Sequence, residues 1–273
     1  MKIWLDGALR DADEAKVSVF DHGLTVGDGV FETLKAQHGE AFALTRHLER
    51  LTRSARGLGL PDPDADEVRR ACAAVLAANP MPLGRLRVTY TGGVSPLGSD
   101  RGDAAPTLIA AMAPSARRPD TTAVVTVPWV RNERSGVTGL KTTSYAENVV
   151  ALAAAHRAGA SEALLANTVG RLCEGTGSNV FVVLDGELHT PPLASGCLAG
   201  ITRDLVVEWA GAKETDLPFE ALAEAEEVFL TSSLRDVQAV VRIDGRDTGS
   251  GPGPVTAEAV RAFAARSAAD LDP

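Results

Sequence analysis

Apolar residues recur along this chain with two different spacings, and the switches between them predict the order of its elements. Lys-Ile-Trp-Leu (2–5) and Ala-Leu-Arg (8–10) flank Asp6-Gly7, the signal of a tight β-hairpin. Val17-Ser18-Val19-Phe20 alternates and predicts a further strand, and alternation returns over 30–36 after Gly27-Asp28-Gly29. The spacing then becomes helical. Leu48, Leu51 and Ala55 share one face of a helix over 45–57, which Gly57 and Gly59 end. A second helix over 63–79 opens on acidic residues and stops before Pro80. Residues 84–91 and 107–112 read as strands. Between them lies a loop rich in Gly, Pro and Asp, GGVSPLGSDRGDAAP, long enough to line a site.

The composition breaks over 113–122. Beyond it the pattern predicts a strand over 122–129, a helix over 145–158, a strand over 161–167 and a hairpin turning at Asp185-Gly186. A helix over 200–212, strands over 228–233 and 237–246, and a closing helix over 255–268 complete the chain. The picture is a mixed α/β fold in two halves. It has an N-terminal α/β domain over 1–116, a linker over 117–122 and a C-terminal α/β domain over 123–273 that carries Lys141. A seam between two such halves is a natural place for a pocket.

Bulk properties narrow the function classes. An apolar content of 45% is enough for sizeable cores. A formal net charge of −9 argues against nucleic acid, whose phosphates call for a Lys/Arg surplus. No apolar run approaches the ~20 residues of a membrane span, and acids arrive within the first six residues, against a secretory leader. The cysteines, Cys72, Cys173 and Cys197, show no CxxC spacing, which argues against a metal site and a disulfide framework and for a reducing cytoplasm. The only lysines are Lys2, Lys16, Lys35, Lys141 and Lys213, so chemistry that needs an amine has few candidates.

Lys141 precedes a helix and is flanked by Leu140 and the small hydroxyl residues Thr142, Thr143 and Ser144. A sheltered lysine loses its proton more readily than an exposed one, as Schiff-base chemistry requires. Glu174 ends a short strand and is followed by Gly-Thr-Gly-Ser, where backbone can approach a ligand closely. A carboxylate there could keep a ring nitrogen protonated. Taken singly, each has a plainer reading: a surface lysine at a helix entrance, and a glycine-rich hairpin turn.

Taken in order, the motifs say more. KTTSYAEN (141–148), followed by EALL (162–165) and GRLCEGTGSNVF (170–181), resembles the signature region of fold-type IV pyridoxal-phosphate (PLP) enzymes. These include branched-chain and D-amino-acid aminotransferases and 4-amino-4-deoxychorismate lyases. DHGLTVGDGVFET (21–33), HLERL (47–51), AGITR (199–203) and FLTSS (229–233) resemble further blocks of the family in the same order. The resemblance implies a two-domain α/β fold like that of D-amino-acid aminotransferases, with PLP in the interdomain cleft. It implies that Lys141 carries the cofactor and moves protons at the substrate's carbons, while Glu174 pairs with the pyridine nitrogen. Arg50, free of the packed Leu48 and Leu51 stripe, would point into the cleft and bind the cofactor phosphate, with the backbone of Ile201 and Thr202 and a hydroxyl of Ser233, or of Ser232 beside it. Tyr145 would line the pocket and Thr33 would assist proton transfer. Arg87 and Arg101 are candidates for a substrate carboxylate. No metal is implied, and a homodimer acting on a small molecule is.

Within the family, the spacing after Lys141, the Thr33 position and the loop over 92–102 look most like the lyases. The implied reaction is conversion of 4-amino-4-deoxychorismate to 4-aminobenzoate and pyruvate, a folate-precursor step. The alternative is an aminotransferase using branched-chain, D-amino-acid or amine donors. Ser144, where the lyase pattern has Asn, and the bulky Tyr145 depart from that pattern.

Overall fold

The alternating stretches of the N-terminal half assemble into one antiparallel sheet. Its strands are β1 (Lys2–Leu5), β2 (Ala8–Asp11), β3 (Gly29–Gln37), β4 (Glu40–Ala41), β5 (Leu83–Thr91) and β6 (Thr107–Pro114). They lie in the order β2-β1-β6-β5-β3-β4. Alternation along β3 sends Val30, Glu32, Leu34 and Ala36 to one face and Phe31, Thr33 and Lys35 to the other. A single turn, α1 (His22–Thr25), precedes β3, and α2 (Leu44–Leu58) and α3 (Ala65–Ala78) follow it. The two longer helices cover the Glu32 face, where Leu34, Leu51, Val75, Leu86 and Ala110 are buried together. Leu48, Leu51 and Ala55 form the buried stripe that the helical spacing requires. The helix runs through Gly57 and stops at Gly59, which takes φ 76°. Gly57 is fixed by packing, since a Cβ there would sit 2.5 Å from Leu140 Cδ2.

Two expectations fail in this half, both for want of long-range information. Residues 17–20 form no strand; their alternation finds no partner, and Val17, Val19 and Phe20 are exposed. Lys141, expected with the C-terminal domain, packs with the N-terminal sheet instead. Thr142 bridges to Val30, Phe31 N–H donates to the Lys141 carbonyl at 2.9 Å, and Thr143 N–H donates to the Gly29 carbonyl at 2.8 Å. The first unit therefore comprises residues 1–117, 140–144 and 270–273 in this computed structural model, which describes all 273 residues.

The second unit, residues 118–139 and 145–269, is built on a nine-stranded mixed sheet. Its first elements are β7 (Thr121–Arg131), α4 (Ala146–Arg157), β8 (Glu162–Asn167), β9 (Leu172–Gly175), β10 (Asn179–Leu184) and β11 (Glu187–Thr190). α5 (Ile201–Ala210), β12 (Lys213–Glu214), α6 (Ala221–Glu224), β13 (Glu227–Ser232), β14 (Asp236–Ile243), β15 (Arg246–Asp247) and α7 (Pro254–Ala269) follow. The order is β12-β11-β10-β13-β14-β7-β8-β9, with β15 on β14. β10 is an unbroken apolar run because it is buried on both faces, and its Phe181 stacks on Phe229 of β13 at 4.7 Å. α4 packs through Ala151 and Ala155 on Val125 and Ala163. No helix is long and apolar enough to cross a membrane.

α2 has no cap of its own: Ala43, at φ 54°, makes no side-chain bond to it. The end of the chain supplies one. The Leu271 carbonyl accepts from Ala43 N–H at 2.7 Å, and the Asp272 carboxylate accepts from Thr45 N–H at 2.7 Å and Thr45 Oγ1 at 2.5 Å. A carboxylate capping a helix N-terminus is worth about 1 kcal/mol. Asp272→Ala should therefore lower the thermal unfolding midpoint by about 2–4 °C. An unchanged midpoint in calorimetry would show that the cap contributes nothing.

Candidate active site

In the first unit a buried charge cluster joins β3 to α2. Glu32, fully buried, accepts from Arg50 Nε at 2.8 Å and Nη2 at 2.7 Å, and its Oε2 lies 2.6 Å from His47 Nδ1. His47 and Arg50 are three residues apart, so both face the same strand. Burial opposes the charged form of Glu32, but Arg50 and His47 outweigh it and hold the carboxyl far below the usual range. Burial lowers the His47 pKa below its ordinary 6.5, overcoming the pull of Glu32, and Arg50 and Lys141 act in the same direction. Arg50 is an interior cation whose plane Glu32 fixes.

On the opposite face of β3, Phe31 gathers three of the expected residues. Lys141 Nζ lies 4.6 Å from the centre of its ring, and Arg87 Cζ 3.8 Å. Thr33 is the next residue on this face and sits directly across from Arg87 on β5. The Lys141 backbone is held by β3 and by Ser54 Oγ, which accepts its N–H at 3.1 Å. By contrast Lys2 and Lys213 pair with Asp11 and Glu187 at the surface. Arg101 does not join the group. Its guanidinium grips Asp28 through Nε at 2.5 Å and Nη2 at 2.6 Å, and also donates to the Leu58 and Gly59 carbonyls at the end of α2. It anchors the long loop to Asp28 and to the end of α2.

In the second unit the Glu174 carboxylate accepts from Arg131 Nε at 2.9 Å and from Leu198 N–H at 2.9 Å. The Leu198 carbonyl in turn accepts from Asn179 Nδ2 at 2.8 Å. Two residues on, Gly200 opens α5, and a Cβ there would lie 2.0 Å from Asn179 Oδ1. Glu174 and the turn bearing Ile201 and Thr202 are thus tied by one short loop. No side chain caps α5, so its first N–H groups and positive end suit an anion. Thr231, paired with Asn179 across β10 and β13, has a buried hydroxyl without a hydrogen-bond partner. An uncapped helix start that admits only glycine, beside an unpartnered buried hydroxyl, fits a phosphate. Ser232 alternates to the other face of β13 from Thr231, and Ser233 begins the turn that follows. Tyr145 caps the start of α4 and is half-buried.

Glu32, His47, Arg131, Asn179 and Thr231 were not singled out by the motifs. Glu32 and His47 stand inside quoted blocks, and the three-residue step from His47 to Arg50 was a usable signal. Arg131 ends a strand with nothing local to mark it.

The His47 shift has a definite sign. A base with a depressed folded-state pKa binds its proton more readily when unfolded, so its stability contribution is complete above about pH 6.5 and falls as pH drops towards the folded value. The urea midpoint should decline between about pH 7 and pH 5, and His47→Gln should flatten that decline. Identical pH slopes for both proteins would contradict the assignment.

Comparison with known proteins places the chain in a family. The amino-transferase class IV family model matches residues 29–243. A putative branched-chain-amino-acid aminotransferase of Methanocaldococcus jannaschii is 38% identical over 90% of this chain and 89% of its own. A bifunctional aminodeoxychorismate lyase/D-amino acid transaminase of Mycobacterium tuberculosis is 32% identical over 90% and 92%. Among solved structures, the branched-chain aminotransferase of Thermoproteus uzoniensis with norvaline superposes with a TM-score of 0.91 at 32% identity, covering 97% of this chain and 93% of that one. The PLP-bound form of a hypothetical aminotransferase from M. tuberculosis gives 0.85 at 27%, covering 97% and 100%. PLP, the cofactor expected from the motifs, is the family's own. Matched over most of its length, the chain belongs to the class IV amino-transferase family.

Proposed function

We propose that the protein is a PLP-dependent aminotransferase, with branched-chain amino acids as the first donors to test. The observation that carries this is the placement of Lys141, pinned by its backbone to β3 with its amine over Phe31 beside Thr33 and Arg87. When bound, PLP supplies an electron sink that stabilises negative charge at the carbon next to the substrate nitrogen. Lys141 would hold the cofactor through its amine and would move a proton to and from that carbon. Glu174, its carboxylate fixed by Arg131 and Leu198, keeps the ring nitrogen protonated. Ile201 and Thr202 at the start of α5, with Ser233 and Arg50, hold the phosphate. Strand alternation supports Ser233 over Ser232, because Ser232 points away from the Thr231 face. Tyr145 walls the pocket, and Thr33 assists the proton transfer. Arg87, exposed on the Phe31 face, takes a substrate carboxylate, where a planar guanidinium suits a bidentate partner. A homodimer acting on small molecules belongs to the same reading and is checked by light scattering.

The order of substrates differs from the one the motifs imply. The spacing after Lys141 favours the lyase, whereas the branched-chain names of the relative at 38% identity and of the structure at TM-score 0.91 favour transamination. The lyase stays as the second reading because one relative carries both activities in its name. Assays decide between them. The protein should transfer nitrogen from leucine, isoleucine or valine to 2-oxoglutarate, more than about tenfold faster than from D-alanine. Release of pyruvate from 4-amino-4-deoxychorismate without any keto acid, and no transamination, would reverse the order. Lys141→Ala should lose at least about a thousandfold in turnover in either case, since the amine both attaches the cofactor and moves the proton; substantial residual turnover would remove Lys141 from the mechanism.

A further inference from the structure

A second buried carboxylate, to which the motifs assigned no role, connects two segments assigned to the cofactor. Glu162 opens β8 and is buried. Its Oε1 accepts from Thr176 N–H at 3.0 Å and from the Thr176 hydroxyl, and its Oε2 accepts from Ser178 Oγ at 2.9 Å. Thr176 and Ser178 belong to the glycine-rich loop directly after Glu174. The loop fits closely: a Cβ on Gly175 would lie 2.4 Å from Ser178 Oγ and 3.1 Å from Glu162 Cγ. Asn148 of α4 reinforces it by donating to the Thr176 carbonyl at 2.5 Å.

The same carboxylate meets Arg235. Nη2 of this buried arginine lies 3.4 Å from Glu162 Oε2 and donates to the Ser161 carbonyl at 3.1 Å. Arg235 stands in the tight turn between β13 and β14, two residues after Ser233, and its N–H donates to the Ser232 carbonyl at 3.1 Å. Burial pushes the Glu162 carboxyl up, against Arg235 and the surrounding donors. An amide here would leave one acceptor oxygen for donors that occupy both carboxylate oxygens. The charge is what Arg235 requires.

We propose that Glu162 and Arg235 are positioning residues for the cofactor: the carboxylate sets the loop behind Glu174, and the arginine locks the Ser233 turn to it. This rests on the assignment of Glu174 to the ring and Ser233 to the phosphate. The two arms are separable with PLP and with pyridoxal, which lacks the phosphate. In dissociation constants measured by cofactor absorbance on the full-length protein, Glu162→Gln should weaken both compounds about tenfold, as expected for removing the support of a group that touches the ligand. Arg235→Gln should weaken PLP about tenfold and pyridoxal less than about twofold. Loss of folding alone would not produce that selectivity.

Glu162→Gln with both constants within about twofold of the wild type overturns the inference. If that variant does not fold, Ser178→Ala, which removes one donor, decides. It should weaken both compounds about threefold, and unchanged constants again overturn the inference. A wild-type protein that binds PLP no better than pyridoxal overturns the phosphate assignment together with the inference. Tight wild-type PLP binding with indifferent variants overturns the inference alone.

Discussion

Two backbone hydrogen bonds along the edge of β3 hold the segment on which the proposed chemistry rests. Through them residues 141–144 join, by a single bridge at Thr142, a sheet built by the first 117 residues. The lysine is thereby placed by main-chain geometry, independent of its own long and flexible side chain. A group that must meet a carbon atom within a few tenths of an ångström gains most from such support. The Phe31 ring, Thr33 and Arg87 then follow from alternation and cross-strand register, with no further adjustment of the fold. Gly57 serves the same end, because only a residue without a side chain lets Leu140 lie against α2.

Each unit uses a buried acid and an arginine to fix backbone near its proposed cofactor contacts. Glu32 grips Arg50 and His47; Glu162 grips the loop after Glu174 and meets Arg235. Such pairs add little net stability, since desolvating two ions cancels much of their attraction. Their effect is directional: a bidentate guanidinium or a carboxylate with three donors permits few arrangements. That suits a site whose neighbouring loops are rich in glycine and would otherwise wander.

Legibility in the sequence tracked the range of the interactions involved. The stripe of Leu48, Leu51 and Ala55 and the hairpins at Asp6-Gly7 and Asp185-Gly186 are local patterns, and each is in the structure as read. The family motifs carried the fold and the cofactor because six ordered blocks record long-range contacts that no single window holds. What escaped was set at a distance. The alternation at 17–20 is locally sound but has no neighbouring strand. Lys141 was grouped by chain position with the half that follows it, whereas hydrogen bonds to residues 110 positions earlier bring it to the other. Arg101 sits in a suggestive loop, yet Asp28, far back in the chain, claims it. Glu162 opens the EALL block, but nothing local names its partners, and only the folded backbone brings Thr176, Ser178 and Arg235 to it.

Transaminase and lyase readings share one requirement, the covalent attachment of PLP to a single amine. Borohydride reduction of the PLP-loaded protein followed by peptide mass mapping tests it directly. The account predicts a pyridoxyl mass increment confined to the peptide containing Lys141, with Lys2, Lys16, Lys35 and Lys213 unmodified. An increment on any other lysine, or none at all, would contradict it.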